Sequence, residues 1–440
     1  MIQITSIRLF CTRIPLRIPF RFGIVEIERL EHCVMRAQVC IGGRAQRGYS
    51  AENLVPKWFT KDPRTTPAED VAELRRVVRE IAGLAIGRIR ANDAFEFSQQ
   101  VATAAESRFA LMPPLLRQLG VSFVERAVID AVCRFHDRPI HALLREGLLG
   151  RVTGQPLPPP RGSVQVRHTV GLGDSPGELA GALARTGIRR LKVKLSGDPS
   201  ADTARLVEIA AVANRALGGE WRVTLDGNEN YQMDSLRAFL SRLETDPDLA
   251  EFRRRLRWIE QPLHRDTALS SAVAGLLAEY PKIPFIIDES DAEKSSLRRA
   301  LSLGYAGTTH KNCKGVFKSV AAACDGPELL AGSGREFVLS GEDLTIVAPW
   351  AQTADLATAA TVGVVDIERN GQHYADGLSA FAPAVGGAAL AEHPDLYRRD
   401  ERGGVELRIE EGMVRLDSVL SAPFGSRTEP DVTGFEEIAM

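Results

Sequence analysis

Seven ionisable side chains recur through the second half of this chain at a nearly regular interval, each at or near the end of a short apolar run. They are Lys194, Asp226, Glu260, Asp288, Lys311, Glu342 and Glu368, separated by 32, 34, 28, 23, 31 and 26 residues. In an eight-stranded barrel of about 250 residues, one strand–helix repeat takes roughly 25–35 of them. A chain repeating with that period brings all seven groups to one end of the barrel, the end where barrel active sites lie. Singly each is bland: an Asp after a strand caps a helix or makes a turn, and a K-x-K in a strand is a solvated face. Convergence at the repeat length is the informative feature.

The chemistry follows from the residue types. Asp226, Glu260 and Asp288 are three carboxylates from successive strands, and packed together without a cation they repel and their pKa values rise. A hard divalent ion relieves this, and all-oxygen ligation with room for water and substrate suits Mg²⁺. Asn228, two residues beyond Asp226 on the same face, supports the site or touches substrate. Such an ion beside lysines suits the removal of a proton next to a carboxylate, because it stabilises the enediolate that forms. In LKVKL (191–195), Lys192 and Lys194 share one strand face, and the like charge of Lys192 is expected to lower the pKa of Lys194 so that it can act as a base. Lys311, across the ring, serves the opposite face of the planar intermediate. A base on each face permits racemisation or epimerisation.

The elements that must position these groups can be read from periodicity. Candidate strands are SVQVRHTVG (163–171), RRLKVKLS (189–196), WRVTLDGN (221–228), LRWIEQPL (256–263), IPFIIDES (283–290), AGTTHKNCKG (306–315), EFVLSGED (336–343) and GVVDIERNG (363–371). Helical patterns such as ADTARLVEIAAVANRAL (201–217) lie between them, so an α/β fold of the (β/α)8 TIM-barrel type is expected. The Gly spacing of GLGDSPG (171–177) does not fit the doubly wound alternative. Before the barrel, strands such as ITSIRLFCTRIPL and HCVMRAQVCIGGRAQRGYSAE precede amphipathic helices, giving an α+β block. The expected division is an α+β domain over residues 1–155, a barrel over 156–390 after the linker GQPLPPPRG (154–162), and a segment over 391–440. In that last segment GGVELRIEEGMVRL alternates and is expected to extend the N-terminal sheet.

Bulk properties narrow the partners. A formal charge of −2 leaves no basic footprint, which argues against nucleic acid. No apolar run approaches the roughly 18 residues of a membrane helix, and the N-terminus lacks a signal peptide's pattern. Six cysteines without C-x-x-C spacing read as reduced thiols in a cytoplasmic protein. The expected partner is a small-molecule carboxylate, with homo-oligomerisation left open.

K-x-K on the second barrel strand, D-x-N on the third, E-Q-P on the fourth, D-E-S on the fifth and a lysine on the sixth resemble the enolase superfamily. Within it they resemble the muconate-lactonizing-enzyme-like subgroup of the mandelate racemase/muconate lactonizing enzyme family. The resemblance implies Asp226, Glu260 and Asp288 as Mg²⁺ ligands, Lys194 and Lys311 as acid/bases, Lys192 near the substrate carboxylate, and Glu289 supporting the metal site. It also implies an N-terminal capping domain, completed by the C-terminal segment, whose loops near Phe20–Ile24 (with Phe20 and Phe22) and Asn53–Phe59 choose the substrate. Asp366 and Glu368 are similar to an acidic pair that receives a substrate ammonium in dipeptide epimerases. Two departures stand out: the family's glycine pair after the sixth-strand lysine is missing from HKNCKGVFKS, leaving Lys314 as a competitor of Lys311, and the His-Asp dyad of the mandelate racemase branch is absent. The expected activity is therefore a racemase or epimerase with two lysine bases. The alternatives are a dehydratase, other lyase or cycloisomerase with Lys194 as sole base, and a non-catalytic metal-binding barrel.

Overall fold

The structure, a computed structural model, describes all 440 residues. Three long strands open the chain: β1 (Ile2–Phe22), β2 (Val25–Ile41) and β3 (Arg44–Asn53), paired antiparallel in sequence order. Ile41 faces Arg44 across a two-residue turn, and Gly42 and Gly43 have φ values of +57° and +85°. That turn matches the twist of the strands and admits residues without a Cβ most easily. Three helices follow: α1 (Pro67–Ala85), α2 (Ala94–Arg108) and α3 (Pro114–His136). Thr66 and Glu69 form a capping box that starts α1. Helix α3 lies against the sheet at Gly48, where a Cβ would come within 2.0 Å of the Ala127 carbonyl oxygen.

Eight parallel strands then close a barrel: β4 (Ser163–Val170), β5 (Arg190–Lys194), β6 (Arg222–Asp226), β7 (Leu256–Glu260), β8 (Phe285–Ile287), β9 (Gly307–His310), β10 (Val338–Gly341) and β11 (Asp366–Glu368). Closure is by the pairing of β11 with β4, with Glu368 opposite Arg167. Helices alternate with the strands outside the ring. The expected (β/α)8 barrel with an N-terminal α+β layer is the observed fold.

The C-terminal segment differs in detail from expectation. β12 (Tyr397–Arg399) and β13 (Val405–Leu407) form their own hairpin, and β14 (Met413–Arg415) joins the barrel antiparallel to β4. The alternating run 403–416 therefore does not reach the N-terminal sheet. Its short apolar faces are covered locally, and only β15 (Glu436–Ile438) returns to pair with β1. No helix is long and apolar enough to cross a membrane. The six cysteines stand as free thiols.

Candidate active site

The barrel strands alternate inward and outward with period two. Lys192 and Lys194 therefore point inward, at successive heights. Lys194 is level with Asp226, and Asp226 with Glu260, because these residues are direct register partners on β5, β6 and β7. Asp288 and Lys311 follow the ends of β8 and β9. The structure thus brings Lys194, Asp226, Glu260, Asp288 and Lys311 to one end of the barrel in ring order, with a lysine at each end of the row of acids. All five are at most 5 % exposed.

The ammonium groups are tied to the acids. Lys194 Nζ donates to Asp226 Oδ2 at 2.6 Å. Lys311 Nζ donates to Asp288 Oδ2. Lys314 also meets Asp288, at 3.3 Å, but from behind: its Nζ is 2.7 Å from Thr309 Oγ1 and 3.5 Å from Asp291. Of the two lysines after β9, Lys311 is the one under the N-terminal layer, with Nζ 4.9 Å from the Trp58 ring centroid. His310 turns outward, its Nδ1 2.8 Å from Ser319 Oγ.

Lys192 lies two residues before Lys194 on β5, one pleat deeper in the barrel. Its Nζ lies 3.0 Å from Asp226, 3.0 Å from Glu260 and 3.1 Å from Glu368, and it also meets Glu342. Burial works against its charge, but these acids outweigh that and hold its pKa well above the lysine range. The Lys192 charge is thus absorbed by four carboxylates, which corrects the expectation that it acts on Lys194 as a free like charge. Asp288, beside Lys311 and Lys314, is held ionised against the cost of burial. Glu260 is pushed well above the carboxylate range by burial, then by Asp226 and Glu342. Burial alone would push the Lys311 pKa down, but Asp288 and Glu342 raise it overall.

The expected acidic pair on β11 is also corrected. Asp366 sits at the start of the strand, far from the mouth, with Oδ1 3.3 Å from Arg167 Nε. Glu368 accepts from Thr169 Oγ1 at 2.7 Å, Asn370 Nδ2 at 2.8 Å and Lys192 at 3.1 Å. Two acids on one face of a strand differ in height by about 7 Å, so one reached the site level and one did not. Glu368 has its acceptor capacity in use.

Asn228 and Glu289 do lie together. The Asn228 backbone N–H donates to Asp226 Oδ1 at 2.9 Å, and its Nδ2 donates to Glu289 Oε1 at 3.0 Å. Burial and the neighbouring Asp288 and Glu229 push the Glu289 pKa up to about 8. Asn228, Glu229 and Gln261 have φ values of +38°, +64° and +35°. Three non-glycine residues in the left-handed region, just past β6 and β7, store strain where the acids are held.

The N-terminal layer closes the mouth. Phe22 places its ring 5.8 Å from Lys194 Nζ, and Phe20 packs on Phe22 and on Tyr374 at centroid distances of 5.2 and 4.3 Å. The segment after Asn53 is pinned by Arg265, which donates to the carbonyls of Trp58 and Phe59 at 2.9 and 2.7 Å and pairs with Glu229. Lys61 donates to Asn230 Oδ1 at 2.9 Å, and Asn53 Nδ2 donates to the carbonyls of Leu344 and Thr345. Sequence reasoning covered Trp58 only as part of the Asn53–Phe59 loop, and it missed Lys61, Arg265 and the buried Arg167 that pairs with Glu342. Only Arg167 had a usable signal, the inward alternation of SVQVRHTV.

No three Asp, Glu, His or Cys groups converge as they stand at distances that would hold an ion, because lysines bridge the acids. The donor set nevertheless fits a hard divalent cation. It is all oxygen and comes from three adjacent strands, and Glu260 Oε2, buried and without a hydrogen-bond donor of good geometry, has only the Lys192 ammonium 3.0 Å away to offset its charge.

Residues 177–323 match the family described as "Enolase C-terminal domain-like". No curated protein shows a significant match to the chain. Among solved structures, the chain is similar to a dipeptide epimerase from Cytophaga hutchinsonii complexed with Mg and D-Ala-L-Val, at 17 % identity and TM-score 0.62 over 99 % of both chains. It is similar to an N-succinyl Arg/Lys racemase from Bacillus cereus, at 14 % identity and TM-score 0.63 over 96 % of this chain and 98 % of that one. A muconate lactonizing enzyme from Pseudomonas Fluorescens, complexed with muconolactone, gives 17 % identity and TM-score 0.63 over 99 % and 96 %. At these identities the likeness establishes the fold.

Proposed function

We propose, from the premise that residues 177–323 belong to the enolase C-terminal domain-like family, that this protein is a Mg²⁺-dependent enzyme acting on the proton α to a substrate carboxylate. The observation that carries the reading is the row Lys194–Asp226–Glu260–Asp288–Lys311, three acids from adjacent strands with a lysine at each end. Asp226, Glu260 and Asp288 would hold the ion, which when bound supplies the positive charge that lowers the energy of the deprotonated carboxylate substrate. Lys194 takes the α proton from one face and Lys311 returns one to the other, so the reaction is a racemisation or epimerisation. Asn228 orients Asp226 through its backbone N–H, and Phe22 and Trp58 keep water from the two ammonium groups. With Glu368 committed to Lys192, Thr169 and Asn370, a substrate with a free ammonium at that position is disfavoured.

A second reading has its own observation. Lys311 is paired tightly with Asp288, which favours its protonated form. As a fixed cation it would leave Lys194 as the only base, giving a lyase or cycloisomerase. Incubation in deuterated water with Mg²⁺ and a panel of N-acyl amino acids, hydroxy acids and dipeptides separates the two. Deuterium at the α-carbon with inversion supports two bases; elimination or ring closure without α-carbon inversion supports one. No exchange and no conversion across the panel, in protein shown to bind Mg²⁺, would count against both.

A further inference from the structure

At the opposite end of the barrel, where the strands begin, arginines crowd together. In the sheet register Arg167 lies opposite Arg190, and Arg190 opposite Arg222. Like charges directly across a sheet are destabilising. Arg167 is answered inside the barrel by Glu342 and by Asp366. Arg190 and Arg222 are half-buried, yet their contacts are to neutral groups: Arg190 Nε donates to Gln165 Oε1 at 2.7 Å and Arg222 Nη1 to the Trp221 carbonyl at 2.9 Å. Arg257, exposed beside them, lies over the Trp258 ring and has no acid partner either.

These three arginines line an open hollow of about 390 Å³ together with Arg189 and Arg255, and no hydrophobic side chain lines it. Arg189 is matched by Glu220 at 3.0 Å and Arg255 by Glu251 at 2.7 Å. The remaining acid on the wall is Glu411. Three uncommitted guanidinium groups thus face one uncommitted carboxylate. Some arginines elsewhere are paired with acids, as Arg76 is with Glu73 and Glu80, and others donate only to carbonyls, as Arg161 and Arg335 do; here three without an acid partner line one hollow. Burial pushes the Arg190 pKa down; Asp366 opposes that, while Arg257, Arg222 and Arg167 add to it.

We propose that this hollow binds a phosphate group, either free or as the end of a small phosphomonoester, held by Arg190, Arg222 and Arg257. Planar guanidinium forks match the oxygens of a tetrahedral dianion and stay charged at any working pH. The volume is that of a small-molecule site, and the polar lining excludes an apolar ligand. A net charge of −2 with no extended basic stripe argues against nucleic acid. The site is at the far end of the barrel from Lys194 and Lys311, so its occupation is independent of the proposed chemistry.

The test is calorimetric titration of the intact protein in Mg²⁺-free buffer at constant ionic strength, with inorganic phosphate, glycerol 2-phosphate and a short single-stranded oligonucleotide. Saturable one-to-one binding of phosphate is expected, weakened at least about tenfold in Arg190→Gln/Arg222→Gln and in Arg257→Gln. Tighter binding of the phosphomonoester assigns the site to a metabolite; equal affinity assigns it to free phosphate. The exposed Arg257→Gln variant decides alone if the double variant does not fold. Heat reproduced by sodium chloride, affinity unchanged in the variants, or an oligonucleotide binding more tightly through the same arginines would overturn the proposal.

Discussion

Asp226 Oδ2 receives two ammonium groups at once: Lys194 Nζ at 2.6 Å and Lys192 Nζ at 3.0 Å. One lysine is at the level of the barrel mouth and the other is a pleat deeper, where it also collects Glu260, Glu342 and Glu368. Lys192 is thus the counter-ion that lets so many acids share a barrel interior, and Lys194, nearer the mouth, is the lysine to which the proposed function gives the proton transfer.

Lys192→Met should therefore damage the fold more than the reaction. Breaking a buried charge cluster by removing one side leaves uncompensated charge, a loss of about 3–5 kcal/mol. Urea unfolding should show that loss, with partial recovery on adding Mg²⁺. A loss below about 1 kcal/mol, within the range of exposed pairs, would mean that Lys192 is not the balancing charge.

Lys194→Ala and Lys311→Ala should part company in isotope exchange. Under the two-base reading each abolishes racemisation, a loss of roughly 10²–10⁴, while each still exchanges the α proton of the one enantiomer that its remaining lysine faces. Mass spectrometry of each enantiomer in deuterated water reads this directly. Full exchange of both enantiomers by either variant would reject the assignment.

Magnesium should raise the melting temperature in a concentration-dependent way, worth about 2.7 kcal/mol at one hundred times Kd. Asp226→Asn and Asp288→Asn should each flatten that dependence. An unaltered Mg²⁺ response in both variants would place the ion elsewhere.

Arg265 holds the segment that carries Trp58 through two carbonyls. Arg265→Ala should speed hydrogen–deuterium exchange across residues 54–61 by tenfold or more and leave the barrel strands protected. Unchanged exchange there would show that Lys61 and Asn53 suffice to close the mouth.

His32 links the two layers: its Nδ1 is 2.9 Å from Asn53 Oδ1 and its Nε2 accepts from Trp350 Nε1 at 3.0 Å. Burial lowers its pKa to about 4, below the unfolded value near 6.5. Between those values the unfolded state binds the extra proton, so stability is complete above pH 6.5 and falls as pH drops toward 4. The contribution is about 3 kcal/mol across that window. His310 also has its pKa lowered to about 4, mainly by burial, and burial lowers His141, His168, His373 and His393 as well, so His32 supplies one share of the acid-side slope. His32→Gln should reduce the slope of stability against pH by about one proton, read from urea midpoints at each pH. An unchanged slope would show that His32 is not buried neutral.

The acids and lysines of the site were legible because strand periodicity and repeat length are local properties. Lys194, Asp226 and Glu260 need only a strand of period two and a parallel neighbour to be brought level. Lys311 over Lys314 was open until the short turn after β9 sent Lys314 behind Asp288. Asp366 and Glu368 share a face, and nothing local says which of two heights meets the site. The run 403–416 alternates like any strand, yet its first part pairs with β12 and its last part with β4, a division that alternation cannot encode.

By itself the chain's order of residues determined the barrel, the inward faces and the types of group that meet at its mouth, because each depends on spacing within about thirty residues. Only the tertiary structure decided that four carboxylates close around Lys192, that Phe22 and Trp58 lie over Lys194 and Lys311, and that arginines are left facing one another at the barrel's foot. Those are meetings between segments far apart in the chain, set by register, strand height and loop path, which no local pattern carries.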